Sequence, residues 1–260
     1  MTTETAVAPR RAVGRYLTTY ALDRAGDGLF YVGLGWLAAR STGELGAATV
    51  LAAGSVPRIV LLLVGGVLGD RWGLVRTARA TLVLRVSLLA AFALIAIPSP
   101  PSAVLLAVVA GGFGLVDALH DPALNGLSGV VVRGPDLVRV QGYMNGLSQV
   151  AQMIAAPIGG ALLAWRGDAV GWLAAGLGLI ALIALPGVGG PSRKECSDKG
   201  AAAPSVLTDV KQVVSQAARR KELLAMLTVF GVANFAATPA VTAGIPLLAK
   251  LRGWSATEYG

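Results

Sequence analysis

The chain has one cysteine, Cys196, and one histidine, His120, in 260 residues. A lone cysteine excludes an internal disulfide framework. One histidine without a Cys/His cluster leaves no metal centre of ordinary ligand spacing. No Gly-x-Ser-x-Gly elbow and no Gly-x-x-x-x-Gly-Lys phosphate loop occurs, so no catalytic residue, cofactor or metal ligand is assigned. Charge is scarce as well: 14% of residues are charged, against about 25% in soluble domains. What the chain has instead is apolar length, with 55% hydrophobic residues and a mean hydropathy of +0.67. The net charge of +8 lies between the apolar runs. It forms no basic tract with interleaved aromatics, which argues against nucleic acid as a partner.

Seven apolar segments follow a polar N-terminal tail at 1–15. They cover roughly 16–39, 47–69, 77–97, 103–124, 140–164, 169–188 and 223–249. Each is near the ~20 residues that a helix needs to cross ~30 Å of hydrocarbon. The expected fold is therefore all-α and polytopic, with the lipid bilayer as its surroundings. No short apolar core with a small-residue cleavage site precedes the first span, which argues against a cleaved signal peptide. The tail and the segments 70–79, 125–139 and 189–222 hold fifteen of the 22 basic residues. The positive-inside rule puts these segments, and the N-terminus, in the cytoplasm of a cell-membrane protein.

The turn after the second apolar run reads Gly65-Gly66-Val67-Leu68-Gly69-Asp70-Arg71-Trp72-Gly73-Leu74-Val75-Arg76. Asp70 and Arg71 are too costly deep in hydrocarbon and mark the membrane edge. Gly73 is free to take the left-handed backbone that ends a helix. The spacing Gly66-x-x-x-Asp70-Arg71-x-Gly73-x-x-Arg76 resembles the loop between helices 2 and 3 of major facilitator superfamily transporters. Gly26-Asp27-Gly28 and the stretch Gly253 to Gly260 resemble that family's multidrug and metabolite exporter branch. Two places depart from the pattern. Leu74-Val75 stands where basic residues are usual. Ala155-Ala156-Pro157-Ile158-Gly159-Gly160 stands where proton-driven drug exporters carry Gly-Pro-x-x-Gly-Gly.

The resemblance implies a six-helix N-terminal bundle at 16–188, a cytoplasmic linker at 189–222, and the first helix of a second bundle at 223–260. The expected eighth helix would begin where the chain stops, so either a fragment or a natural truncation is expected. By resemblance the protein moves a small molecule by alternating access, with proton-coupled efflux in antiport as the leading reading. The alternatives are a nutrient uptake transporter and a truncated, non-transporting membrane protein.

Charges inside the apolar runs mark the candidate site. Arg24, Arg58 and Arg85 each cost about 3 kcal/mol at a helix centre. Apolar residues return only about 0.3–0.6 kcal/mol each, so these arginines must face a bundle interior or a wet cavity. Asp23 with Asp27, and Asp117 with Asp121, are two i,i+4 pairs that each place two carboxylates on one helix face. They lie in the first and fourth spans, which in the family are symmetry mates lining the pathway.

Asp27 falls about 17 Å along its helix from Tyr16, near the midplane. Two readings stand for it: a proton-coupling carboxylate with Asp117, or an ion pair with Arg24 or Arg58. Asp121 is expected at the cytoplasmic end of the fourth span, either latched to Arg71 or facing water. Gln141, Asn145, Gln149 and Gln152 form one polar stripe on the fifth span, and Asn234 is polar in the seventh. These amides serve substrate contact or interhelical hydrogen bonding. The central arginines lean toward an anionic or polar substrate.

Overall fold

The computed structural model describes residues 10–96, 101–132, 136–185 and 245–255, with scattered single positions elsewhere. Most of the linker 189–222, most of the seventh span and Asn234 lie outside the described residues. The described elements are helices: α1 (Arg10–Trp72), α2 (Leu74–Ile95), α3 (Ala103–Val131), α4 (Asp136–Trp165), α5 (Ala169–Ala184) and α6 (Ile245–Leu251). Among the described residues, α2, α3 and α4 are long and apolar enough to cross a membrane, and α5 is a shorter apolar helix.

Helical backbone continues through all 63 residues of α1, where the sequence pattern indicates two spans. A straight helix of that length would reach about 95 Å. Yet Arg58 Nη1 lies 3.4 Å from Tyr31 Oη, 27 positions earlier. The neighbours of α3 resolve this. Tyr16 donates to the Leu124 carbonyl (3.0 Å), and Tyr31 meets Asp117 (3.3 Å), so residues 16–31 run antiparallel to α3. Gly54 lies against Ala110, and Gly69 against Ala123, so residues 54–69 run parallel to it. The chain therefore doubles back inside α1. Trp36 and Ala38 share one apolar core with Ala47 and Val50, which places the reversal around Thr42. The Thr42 hydroxyl donates to the Ala38 carbonyl at 2.7 Å there, a back-bond that bends helices. The two legs are the first and second spans.

Two further differences concern boundaries. α3 runs through Pro122 and continues past the expected end at 124 to Val131. A proline removes one backbone bond and kinks a helix. Here Leu124, Leu127 and Val131 pack beyond it with Tyr16 and Leu82, which keeps the helix on its line. At the other turn, Gly73 has φ 88° and ψ 128°. The positive φ agrees with the role read from sequence, but ψ lies outside the left-handed helical basin.

Close approaches of backbone set the second leg against α3. A Cβ on Gly65 would collide with the Ala118 carbonyl, and one on Gly114 with the Gly54 carbonyl. Small residues of this kind let membrane helices pack at short range. On α5, Gly171 and Gly178 lie tightly against Ala93 and Val86 of α2, whereas Gly176 faces open space.

The packing forms two apolar cores with a gap between them. One gathers Phe30, Phe92 and Phe113 with Leu34 and Trp36. The other gathers Tyr16, Leu82, Leu124, Leu127 and Met144. Along the first leg of α1 the gap spans residues 23–28, along α2 it includes 85, and along α3 it covers 117–121. These are the positions of the charged residues.

Candidate functional site

Each helix delivers its charge to that gap by periodicity. Asp23, Arg24 and Asp27 come from the first leg of α1, Arg58 from its second leg, and Arg85 from α2. Asp117, His120 and Asp121 come from α3. Asp23, Asp117, His120 and Arg85 are almost completely buried. Of the seven charged residues, Arg58 alone has a side chain more than a third exposed, at 37%.

Arginines join the two acidic faces. Arg24 binds Asp121 (2.6 Å) and Asp27 (3.2 Å). Arg85 binds Asp117 (2.8 Å) and is paired with Asp27. Arg58 binds the second oxygen of Asp121 (2.6 Å) and lies 3.8 Å from Asp117. Such short, charge-assisted contacts are the strong ones. The Arg85 guanidinium also sits 4.8 Å above the Phe113 ring, a cation–π contact that strengthens when desolvated. Tyr31 donates to Asp117 (3.3 Å) and accepts from Arg58 (3.4 Å). Sequence reasoning did not assign Tyr31 to the site. The available signal was its spacing, four residues beyond Asp27.

The geometry corrects two expectations. Asp121 does not lie at a helix end beside Arg71. It is in the interior of α3, and Arg24 and Arg58 hold its two carboxylate oxygens. The reason is axial distance: Arg71 is thirteen residues past Arg58, or about 20 Å along the same leg. The lean toward an anionic substrate also loses its basis, because all three central arginines are neutralised by carboxylates.

The remaining candidates separate. Gln141 is half-buried and donates to Ser128 at 2.8 Å, an interhelical bond. Asn145, Gln149 and Gln152 are exposed, with Gln152 donating to Ser148 on the same helix at 3.1 Å. At the turn, Arg71 and Arg76 line a surface cavity of about 360 Å³ with Trp72, Thr77 and Ala80. Gly66 has open space where a side chain would stand. The side chain of Asp70 lies outside the described residues.

Near the other end of the chain, Ser255 and Glu258 form a reciprocal pair. The Ser255 backbone N–H donates to the Glu258 carboxylate at 2.7 Å, and the Glu258 N–H donates to the Ser255 hydroxyl at 3.3 Å. That is a capping box, the start signal of a helix. These bonds hold the Glu258 carboxyl below the usual carboxylate range.

A buried layer of paired charges inside a bundle of apolar helices defines a polytopic membrane protein whose interior is built around ions. A model of the Major Facilitator Superfamily matches residues 16–260, and the chain belongs to that family. No curated protein matches it. Members of the family are secondary transporters that act on small molecules within a membrane, not enzymes. The resemblance carried by the Gly66–Arg76 turn is thus confirmed at the level of the family.

Proposed function

We propose that this chain is the transporting machinery of a proton-coupled exporter of a small drug or metabolite, lying in the cell membrane with its N-terminus in the cytoplasm. The observation that carries the reading is Arg85. It is bound at once to Asp27 of α1 and Asp117 of α3, and all three side chains are nearly buried. Protonating either carboxylate removes one of the two attractions on Arg85. That loosens the first leg of α1 from α3 and changes which side the pathway opens to. Asp27 and Asp117 are the coupling acids in this scheme. Arg85 is the cation shared between them, while Arg24 links Asp27 to Asp121 and Arg58 links Asp121 to Asp117. The exposed amides Asn145, Gln149 and Gln152 on α4 meet the substrate. The turn Gly66, Asp70, Arg71, Gly73, Arg76 is the hinge at the cytoplasmic edge. Residues 189–222 link this bundle to a second one that opens with 223–260.

Asp27→Asn tests the scheme. In liposomes with an imposed pH gradient it abolishes proton-driven transport, while counterflow without a gradient continues. Unchanged gradient-driven transport overturns the assignment. A second reading, uptake of a polar nutrient, is favoured by the same exposed amide stripe. Accumulation inside right-side-out vesicles, rather than extrusion, would establish it.

A further inference from the structure

We infer that the outer face at the start of α2 binds one anionic phospholipid, with its phosphate at Arg76 and Arg79 and its acyl chains along Val83 and Leu84.

Charge and shape give the first reason. The stretch from Asp70 to Leu84 holds one acid and three arginines, a surplus of two positive charges. The surface cavity at Arg71, Trp72, Arg76, Thr77 and Ala80 adjoins a second one of about 560 Å³. That second cavity is lined by Val75, Arg79, Val83 and Leu84 and shares Arg76 and Ala80 with the first. Arg76, Arg79, Ala80, Val83 and Leu84 are all exposed. Their spacing of i, i+3, i+4, i+7 and i+8 puts them on one helix face. From Arg76 to Leu84 that face is about 12 Å long.

Order along the axis identifies the occupant. The guanidiniums stand at the end of α2, and the apolar side chains follow further along a helix long and apolar enough to cross a membrane. A helix that docks on a protein separates charged from apolar residues by face. Here they are separated by depth on one face, which is the order of phosphate and acyl chain in a lipid. Trp72, 61% exposed at the same rim, is an aromatic of the kind that settles at headgroup level.

Two features favour an anion at the charged end. α2 begins after Gly73 with no side-chain cap and no acid in its first turn, so the positive end of the helix dipole is unanswered there. Thr77, in the lining of the first cavity, is 3% exposed, and its hydroxyl has no hydrogen-bond partner among the described residues. A buried hydroxyl left so is costly, and a phosphate oxygen is an acceptor for it.

Native mass spectrometry of the chain, purified in neutral detergent and stripped of lipid, tests the site. The protein is titrated with phosphatidylglycerol or phosphatidylcholine of identical acyl chains. One arginine near an anionic lipid gives about a fivefold gain in binding, so two give phosphatidylglycerol an advantage of about 25-fold at a single site. Arg76→Gln with Arg79→Gln abolishes that advantage. Arg40→Gln with Arg166→Gln, which removes two exposed arginines outside the groove, keeps it. Equal binding of the two lipids by the wild type overturns the inference, as does an advantage that survives in the Arg76/Arg79 double variant. Displacement of phosphatidylglycerol by inorganic phosphate overturns it too, because the site then reads a free anion. So does a dimer formed in place of lipid binding, which gives the face to a second copy. Should the double variant not fold, the wild-type comparison decides alone. The titration needs neither gradient nor substrate, so a failed transport assay leaves this site standing.

Discussion

Removing the carboxylate of Asp121 tests whether the ionic layer holds the bundle together. In Asp121→Ala, Arg24 and Arg58 each lose a 2.6 Å partner. Taking one member from a buried ion pair costs about 3–5 kcal/mol, chiefly because the other charge is left in a poor solvent. Two features move the value to the low end. Arg24 keeps Asp27 at 3.2 Å. Arg58 has a side chain 37% exposed and keeps Asp117 at 3.8 Å, so part of its charge is relieved by its surroundings. The expected loss is therefore about 3 kcal/mol, which for a chain of this size lowers Tm by about 6–12 °C. The control is Asp136→Ala. Asp136 pairs with Arg139 at a similar distance, 3.2 Å, but both side chains are more than half exposed. Such pairs contribute about 0–1 kcal/mol. Both variants are measured by thermal unfolding of the protein in nanodiscs. Equal Tm values for the two would refute the claim that burial, and not the presence of an ion pair, sets the strength. In the companion cycles, Asp121→Ala with Arg58→Ala is non-additive by more than about 0.5 kcal/mol, and Asp121→Ala with Arg71→Ala is additive.

Two backbone predictions follow from glycine environments. Gly114→Ala drives a methyl into the Gly54 carbonyl and costs about 1–3 kcal/mol by overpacking, while Gly176→Ala, facing open space, leaves Tm unchanged. At the turn between α1 and α2, Gly73→Ala forces a side chain into a positive-φ conformation at about 1–3 kcal/mol, while Gly66→Ala is neutral in the same unfolding measurement.

Apolar run length was enough to find α2, α3 and α4, the described helices long and apolar enough to cross a membrane, because burial in lipid demands about 20 apolar residues whatever the packing. The ends were harder. The fourth apolar run ends at 124, but the side chains that carry α3 onward to Val131 meet partners such as Tyr16, more than a hundred residues away. The hairpin inside α1 was legible as two spans, but not its continuous helical backbone. Within the site, the i,i+4 acids and the three arginines were legible because unpaired charge inside an apolar run has few places to go. Who pairs with whom was not legible. Asp121 was matched to Arg71 on the strength of a motif, whereas partner choice depends on axial level. Arg24, Arg58 and Asp121 share a level, and Arg71 does not.

The antiparallel fit of the first leg to α3 explains why the acids come as two i,i+4 pairs. Asp23 and Asp27 present two negative charges on one face, and Asp117 and Asp121 present two on the facing helix. Brought together alone, these faces repel. Arg24 and Arg85 each touch an acid from both faces, so each is an attraction between the helices and not within one. Arg58 is different, for both its acid partners are on α3. Its leg is also locked to α3 by the Gly54–Gly114 and Gly65–Ala118 approaches. The second leg and α3 therefore behave as one unit, and the plane of weakness lies between that unit and the first leg. Among the described residues, two guanidiniums, a histidine and the Tyr31 hydroxyl, which meets both Asp117 and Arg58, bridge that plane within the layer. Adding or removing one proton there changes the balance of attraction by a full charge, in a region where charge is poorly screened.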